Sequence, residues 1–106
     1  MVVKIGDRRA VQVQPGMSRV VLSHSDQLML VEVSLQRGVH VAEHAHSNEQ
    51  VTYVIRGCVR ASTGGETVDL TAGESCLFPS GQAHAVEALE NSTVLDAFAP
   101  QREEFL

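Results

Sequence analysis

The sequence predicts an all-β protein, a sandwich or a barrel, on three observations. Short segments rich in β-branched residues recur along it, glycine-bearing turn tokens separate them, and no apolar period of 3.6 residues persists over the ~11 positions that a helix needs. The elements follow in order. VQVQ (11–14) ends at the Pro15-Gly16 turn, and SRVVLSH (18–24) leads into the apolar-rich QLMLVEVSLQ (27–36), which stops at Arg37-Gly38. EQVTYVIRG (49–57) alternates cleanly, and CVRAS (58–62) and ETVDL (66–70) flank Gly64-Gly65 as hairpin arms. Beyond Ala72-Gly73, SCLFP (75–79) ends at Ser80-Gly81, and HAVEAL (84–89) and TVLDAFA (93–99) complete the series. Roughly nine short strands at this spacing argue for a closed β architecture in a single domain, residues 1–106.

Composition narrows the functional classes. The chain is 43% hydrophobic and 20% charged, the balance of a globular protein rather than a disordered one. No apolar run approaches the ~18 residues of a membrane span, and the N-terminus MVVKIGDRRAVQVQPG lacks the order of a secretion signal, so a cytoplasmic location is expected. In that compartment Cys58 and Cys76 are expected to be free thiols. A net charge of −5 argues against nucleic-acid binding, which requires a basic stripe. Seven of the eight basic residues are arginines, the side chain that grips carboxylates through paired hydrogen bonds.

Two of the five histidines, His44 and His46, stand one residue apart. On a strand, alternate side chains share a face, so the two imidazoles are expected to point the same way. The next strand opens at Glu49 or Gln50, and antiparallel pairing would lay it beside the histidine strand with one of these two residues aimed at the same spot. His84 opens a later strand after the sharp turn at Pro79–Gly81. Three imidazoles with one amide or carboxylate oxygen, facing a barrel interior, make a transition-metal site.

These residues carry a resemblance. The spacing Gly38-x5-His44-x-His46-x3-Gln50-x6-Gly57 resembles the first motif of the cupin family, with glutamine in place of the usual glutamate. Gly73-x5-Pro79-x-Gly81-x2-His84-x3-Ala88 resembles the second, with alanine in place of the terminal asparagine, and 15 residues separate the two. The resemblance implies the cupin double-stranded β-helix, or jelly-roll barrel, and a divalent metal held by His44, His46, Gln50 and His84. The motif register selects Gln50 over Glu49, which then faces outward. Nickel, zinc, manganese and iron all accept this donor set. All four donors are neutral, so the ion keeps its full +2 charge, a setting that attracts anionic ligands.

A narrower resemblance joins HAHSNEQ (44–50) to a late Asp96-x-Phe98-x3-Arg102 string. Together they look like the KdgF-type cupins of pectin and alginate degradation. That likeness implies conversion of 4,5-unsaturated monouronates into linear 5-keto-4-deoxyuronates. Asp96 would be the acid/base, Arg102 the clamp on the uronate carboxylate and Phe98 an apolar wall. Without the resemblance, Asp96 reads equally as a surface strand residue, Phe98 as core and Arg102 as a solvated tail residue. Two other functions fit a small cupin: a metal-dependent dioxygenase and a non-catalytic module that binds a sugar or small acid.

Six further expectations concern the rest of the chain. His24 reads as surface, and His40, about 13 Å from His44 in extended chain, as structural or partly exposed. Tyr53 should lie outside the barrel or in a dimer interface. Arg56 or Arg60 offers a second anion contact in the cavity. Cys58 and Cys76 read as core. So short a chain leaves much β surface uncovered, and a homodimer is the expected solution.

Overall fold

The structure, a computed structural model, describes all 106 residues. Ten strands are present: β1 Ala10–Gln14, β2 Met17–Ser25, β3 Leu28–Leu35, β4 His40–His44, β5 Glu49–Arg56, β6 Cys58–Thr63, β7 Glu66–Thr71, β8 Ser75–Phe78, β9 His84–Ala88 and β10 Ser92–Ala99. The only helical elements are single 3-10 turns at Ile5–Asp7 and Glu103–Phe105. Two antiparallel sheets face each other, one of six strands in the order β1-β2-β3-β10-β5-β8 and one of four in the order β4-β9-β6-β7.

The tenth strand, which composition alone did not mark, is β4. HVAEH is too short and too polar to stand out, and its only strand partner is β9. Two expectations about the histidines are corrected here. His46 lies beyond the end of β4, in the connection to β5, rather than on the strand with His44. Nor does β5 pair with β4: it crosses to the other sheet and lies between β10 and β8. The strand beside His44 carries His84, its direct cross-strand partner.

Alternation then decides what faces the interior. On β5 the inward set is Gln50, Thr52 and Val54, while Glu49 and Tyr53 are exposed on the outer side, as expected. On β3 it is Met29, Val31, Val33 and Leu35, all buried. Thirteen apolar side chains form one core that includes Val59, Ala61, Leu70, Phe78, Val94 and Phe98. Burial of each large one contributes about 1.5–3 kcal/mol, the main driving force for closing the two sheets.

Two turns require glycine. Gly64 and Gly65 both have positive φ, 58° and 79°, the backbone of the tight hairpin joining β6 to β7. At Gly57 (φ 91°), where the chain passes from one sheet to the other, a Cβ would collide with Ser92 and the Asn91 carbonyl. Ser92 fills that corner, its hydroxyl accepting from the Cys58 amide at 3.1 Å and donating to backbone carbonyls. The packing leaves a cavity of about 370 Å³ between the sheets, lined in part by His44, His84, Gln50, Thr52, Asp96 and Arg102.

Candidate functional site

His44 ends β4, His84 begins β9 opposite it, and His46 follows in a turn stitched to the Pro79–Gly81 turn. In that stitching the Gly81 amide donates to the His46 carbonyl at 2.8 Å, and the Ser80 hydroxyl donates to the Ser47 carbonyl at 2.5 Å. The three rings converge, with centroids 4.4 to 5.6 Å apart, and their ligand atoms lie within 4.8 Å of one another. Phe78 stacks on His84 (4.3 Å, 11°), and Phe98 meets His46 edge-on at 5.9 Å, which holds both rings in place.

Each imidazole is oriented the same way. Nδ1 of His44, His46 and His84 lies 2.9, 3.0 and 3.1 Å from the carbonyls of Ala42, Asn48 and Gln82. A carbonyl only accepts, so each Nδ1 carries the proton and each Nε2 presents a lone pair to the shared centre. Nε2 of His84 is buried without a hydrogen-bond partner. Burial, reinforced at His46 by the Arg102 charge, pushes His46 and His84 below the usual imidazole range and keeps both neutral.

Gln50 reaches the same centre from the opposite sheet. Its Nε2 donates to Thr52 Oγ1 at 3.0 Å, which turns Oε1 toward His46 Nε2, 3.1 Å away. With His46 protonated on Nδ1, those two atoms are both acceptors, a contact that a cation between them would relieve. Two adjacent ligands at ~2.1 Å from one ion would themselves be separated by about 3 Å. The donor set of three imidazoles and one amide oxygen therefore fits a divalent transition metal.

Asp96 lies opposite Thr52 in the β5–β10 register and points inward. Thr52 donates to its Oδ1 at 2.7 Å, so one chain of contacts runs His46–Gln50–Thr52–Asp96. Asp96 is only partly covered as a residue, but its carboxyl is enclosed, and loss of solvation pushes it up to about 6 despite Thr52, Gln50 and Arg102. Phe98, 2% exposed, belongs to the core and also walls the cavity.

The C-terminal segment closes one side. Asn48, buried, donates to the Pro100 and Gln101 carbonyls at 2.7 and 3.2 Å, and the Gln101 amide donates to the Asp26 carbonyl. Arg102 is thereby drawn into the cavity wall, its guanidinium carbon 4.5 Å from the Phe105 ring and 5.3 Å from Phe98. Arg56 and Arg60 do not reach the cavity. Arg56 bonds Thr93 beside a polar depression on the outer face of the six-stranded sheet, and Arg60 pairs with Asp69 in solvent. His24 is exposed and bonds Gln101, His40 is exposed, and both cysteines are free and half-buried.

Three residues of the site escaped the sequence reading: Thr52 and Arg19, which line the cavity, and Asn48, which holds the C-terminal segment against it. Thr52 was in plain sight, two positions from Gln50 on an alternating strand. Arg19 shares inward parity with Met17 and Val21, which pack on the core. Asn48 carried no signal, because its partners lie 52 and 53 residues away.

Comparison with known proteins agrees with this geometry. Residues 31–98 match the family model described as the cupin domain. The chain is 33% identical over 93 residues to the pectin degradation protein KdgF of Dickeya dadantii, covering 86% of this chain and 84% of that one. KdgF from a Halomonas species superposes with a TM-score of 0.94 at 30% identity, covering 100% of this chain and 98% of that one. An RmlC-like cupin from Shewanella frigidimarina also reaches 0.94, at 28% identity over 99% and 95% of the two chains. A jelly roll of two antiparallel sheets, its histidines at both motif positions and these relatives place the chain in the cupin family, among the KdgF-type proteins.

Proposed function

We propose that this protein opens 4,5-unsaturated monouronates released from pectin or alginate, giving linear 5-keto-4-deoxyuronates. One observation carries the reading. A basic arginine, an enclosed carboxyl and a metal-ligand cluster line one cavity of about 370 Å³, a volume suited to a monosaccharide. The likeness to KdgF proteins supports it.

The reaction is an isomerisation and moves one proton. The substrate is a cyclic enol ether with an anomeric hydroxyl and a carboxylate. Asp96 takes the hydroxyl proton, and the electron pair left on that oxygen forms the carbonyl at carbon 1. The bond from carbon 1 to the ring oxygen breaks, and its electrons leave an enolate there. Carbon 4 then takes a proton from Asp96, and the ketone forms at carbon 5, so no redox partner is needed. Thr52 positions Asp96 by its hydrogen bond, Arg102 holds the uronate carboxylate, and Phe98 and the tail keep water from the enolate. A divalent ion held by His44, His46, Gln50 and His84 would supply Lewis-acid stabilisation to an oxygen that gains negative charge.

The outer face of the six-stranded sheet carries a row of apolar side chains across four strands, Leu30, Ala97, Val51 and Leu77, with Tyr53 and Ile55 beside it. Val51, Tyr53, Ile55 and Leu77 are each more than 40% exposed. A homodimer that covers this face is part of the proposal. Incubation of metal-loaded protein with a lyase digest containing unsaturated monouronates tests the enzymatic reading. Loss of the unsaturation signal supports it, and persistence of that signal overturns it.

A further inference from the structure

Arg19 enters the cavity from β2, in register with the inward Val33 of β3, and shares the wall with Arg102. Its guanidinium carbon lies 4.0 Å from the centroid of the Phe105 ring, and that of Arg102 lies 4.5 Å from the same centroid. Both Nε atoms are enclosed and have no hydrogen-bond partner. Arg19 forms no ion pair, while Arg102 has one contact, 3.4 Å to the exposed carboxylate of Glu104. Two guanidiniums held around one aromatic ring, each with an enclosed and unpaired Nε–H and with only one exposed carboxylate between them, form a receptor for an anion. Their separation cannot exceed the sum of the two ring distances, a span that one carboxylate bridges with its four lone-pair sites.

We propose that Arg19 binds substrate, forming with Arg102 a two-guanidinium clamp on the carboxylate that makes the cavity selective for sugar acids over their neutral esters. The proposal deepens the uronate reading and rests on it for the identity of the acid. Burial and, after it, the neighbouring Arg102 charge hold Arg19 below the ordinary arginine value, and the exposed Glu104 offsets this only in part. Phe105 spaces the two groups and is itself braced edge-on by Phe98 at 5.7 Å.

The test measures affinity without turnover. Metal-loaded wild type, R19Q, R19K and R102Q are titrated calorimetrically with galacturonate, which lacks the reactive double bond, and with its methyl ester. The readout is the ratio of acid to ester affinity. Wild type is expected to prefer the acid, and R19Q to lower that preference about ten- to a hundredfold while ester affinity stays within about twofold. R19K, which keeps the charge without the fork, is expected to fall between them. An unchanged ratio in R19Q, or equal losses for acid and ester, overturns the clamp and leaves Arg19 a packing residue. Should R19Q not fold, R19K decides alone: a ratio lowered threefold or more supports the clamp, and a wild-type ratio overturns it. Arg19-dependent acid preference in a protein that leaves unsaturated uronates unreacted would sink the ring-opening reading and keep the clamp.

Discussion

Replacing Asp96 by asparagine should abolish turnover and make the metal-free protein more stable. The enclosed carboxyl is raised from 3.8 to about 6 by loss of solvation. At 1.36 kcal/mol per pH unit, the ionised form costs the fold up to about 3 kcal/mol at neutral pH. The sign is opposite to that of a salt-bridged aspartate. The folded state binds the proton more tightly than the unfolded chain, so wild type gains stability as pH falls from about 7 to about 4. Asparagine resembles the neutral acid and still offers an oxygen to Thr52, so the variant escapes that cost. Its advantage should be near zero at pH 4 and approach 3 kcal/mol by pH 7.5, worth on the order of 10 °C in melting temperature for a chain of this size. Urea unfolding of chelator-treated protein across that range, alongside turnover of unsaturated uronate, measures both effects. An advantage that is absent or independent of pH would refute the account of Asp96 as a desolvated carboxyl. Retained turnover would refute its catalytic role.

Three other predictions follow from the same contacts. Gln50→Glu should keep the metal but weaken the affinity for an anionic ligand, about tenfold for one added charge beside the ion; equal galacturonate affinity by calorimetry would contradict the argument from neutral donors. Thr52→Val keeps shape but removes the hydrogen bond that favours the Asp96 carboxylate. The same change frees the Gln50 amide, so turnover is compared on fully metal-loaded protein; there the acidic limb of the kcat/KM profile should move upward from its position at or below pH 6, and an unmoved limb would show that Thr52 does not position Asp96. Tyr53→Glu places a charge in the apolar outer row and should convert a dimer to monomer by sedimentation at micromolar concentration, whereas a monomeric wild type removes the proposed interface.

Much of the fold was legible because a two-residue period has one physical meaning. Gln50, Thr52 and Val54 face the interior and Tyr53 faces out because a pleated strand allows nothing else. His84 could be placed because the Pro79–Gly81 turn ends one strand abruptly before the next. Sheet membership was less legible. The link between His44 and Gln50 is short enough for a hairpin, yet it crosses between sheets, and no local residue preference distinguishes the two paths. The cation side of the site was legible only in part: Arg102 was expected in the cavity and lies there, but Arg56 or Arg60 was expected to join it and Arg19 was not. Arg56 and Arg60 stand close in sequence to the ligands, but β5 and β6 turn them outward, while Arg19 and Arg102 arrive from segments that meet only through tertiary packing. Contacts between Asn48 and the tail, which bring Arg102 into position, span half the chain.

The central claim is that this cavity moves one proton within an unsaturated uronate and consumes nothing else. Metal-loaded protein should be mixed with unsaturated galacturonate in deuterated water, with ultraviolet absorbance, dissolved oxygen and product NMR followed together. The account predicts loss of the unsaturation signal, a linear 5-keto product with deuterium at carbon 4, and constant oxygen. Persistent absorbance, or oxygen uptake matched to substrate loss, would contradict it.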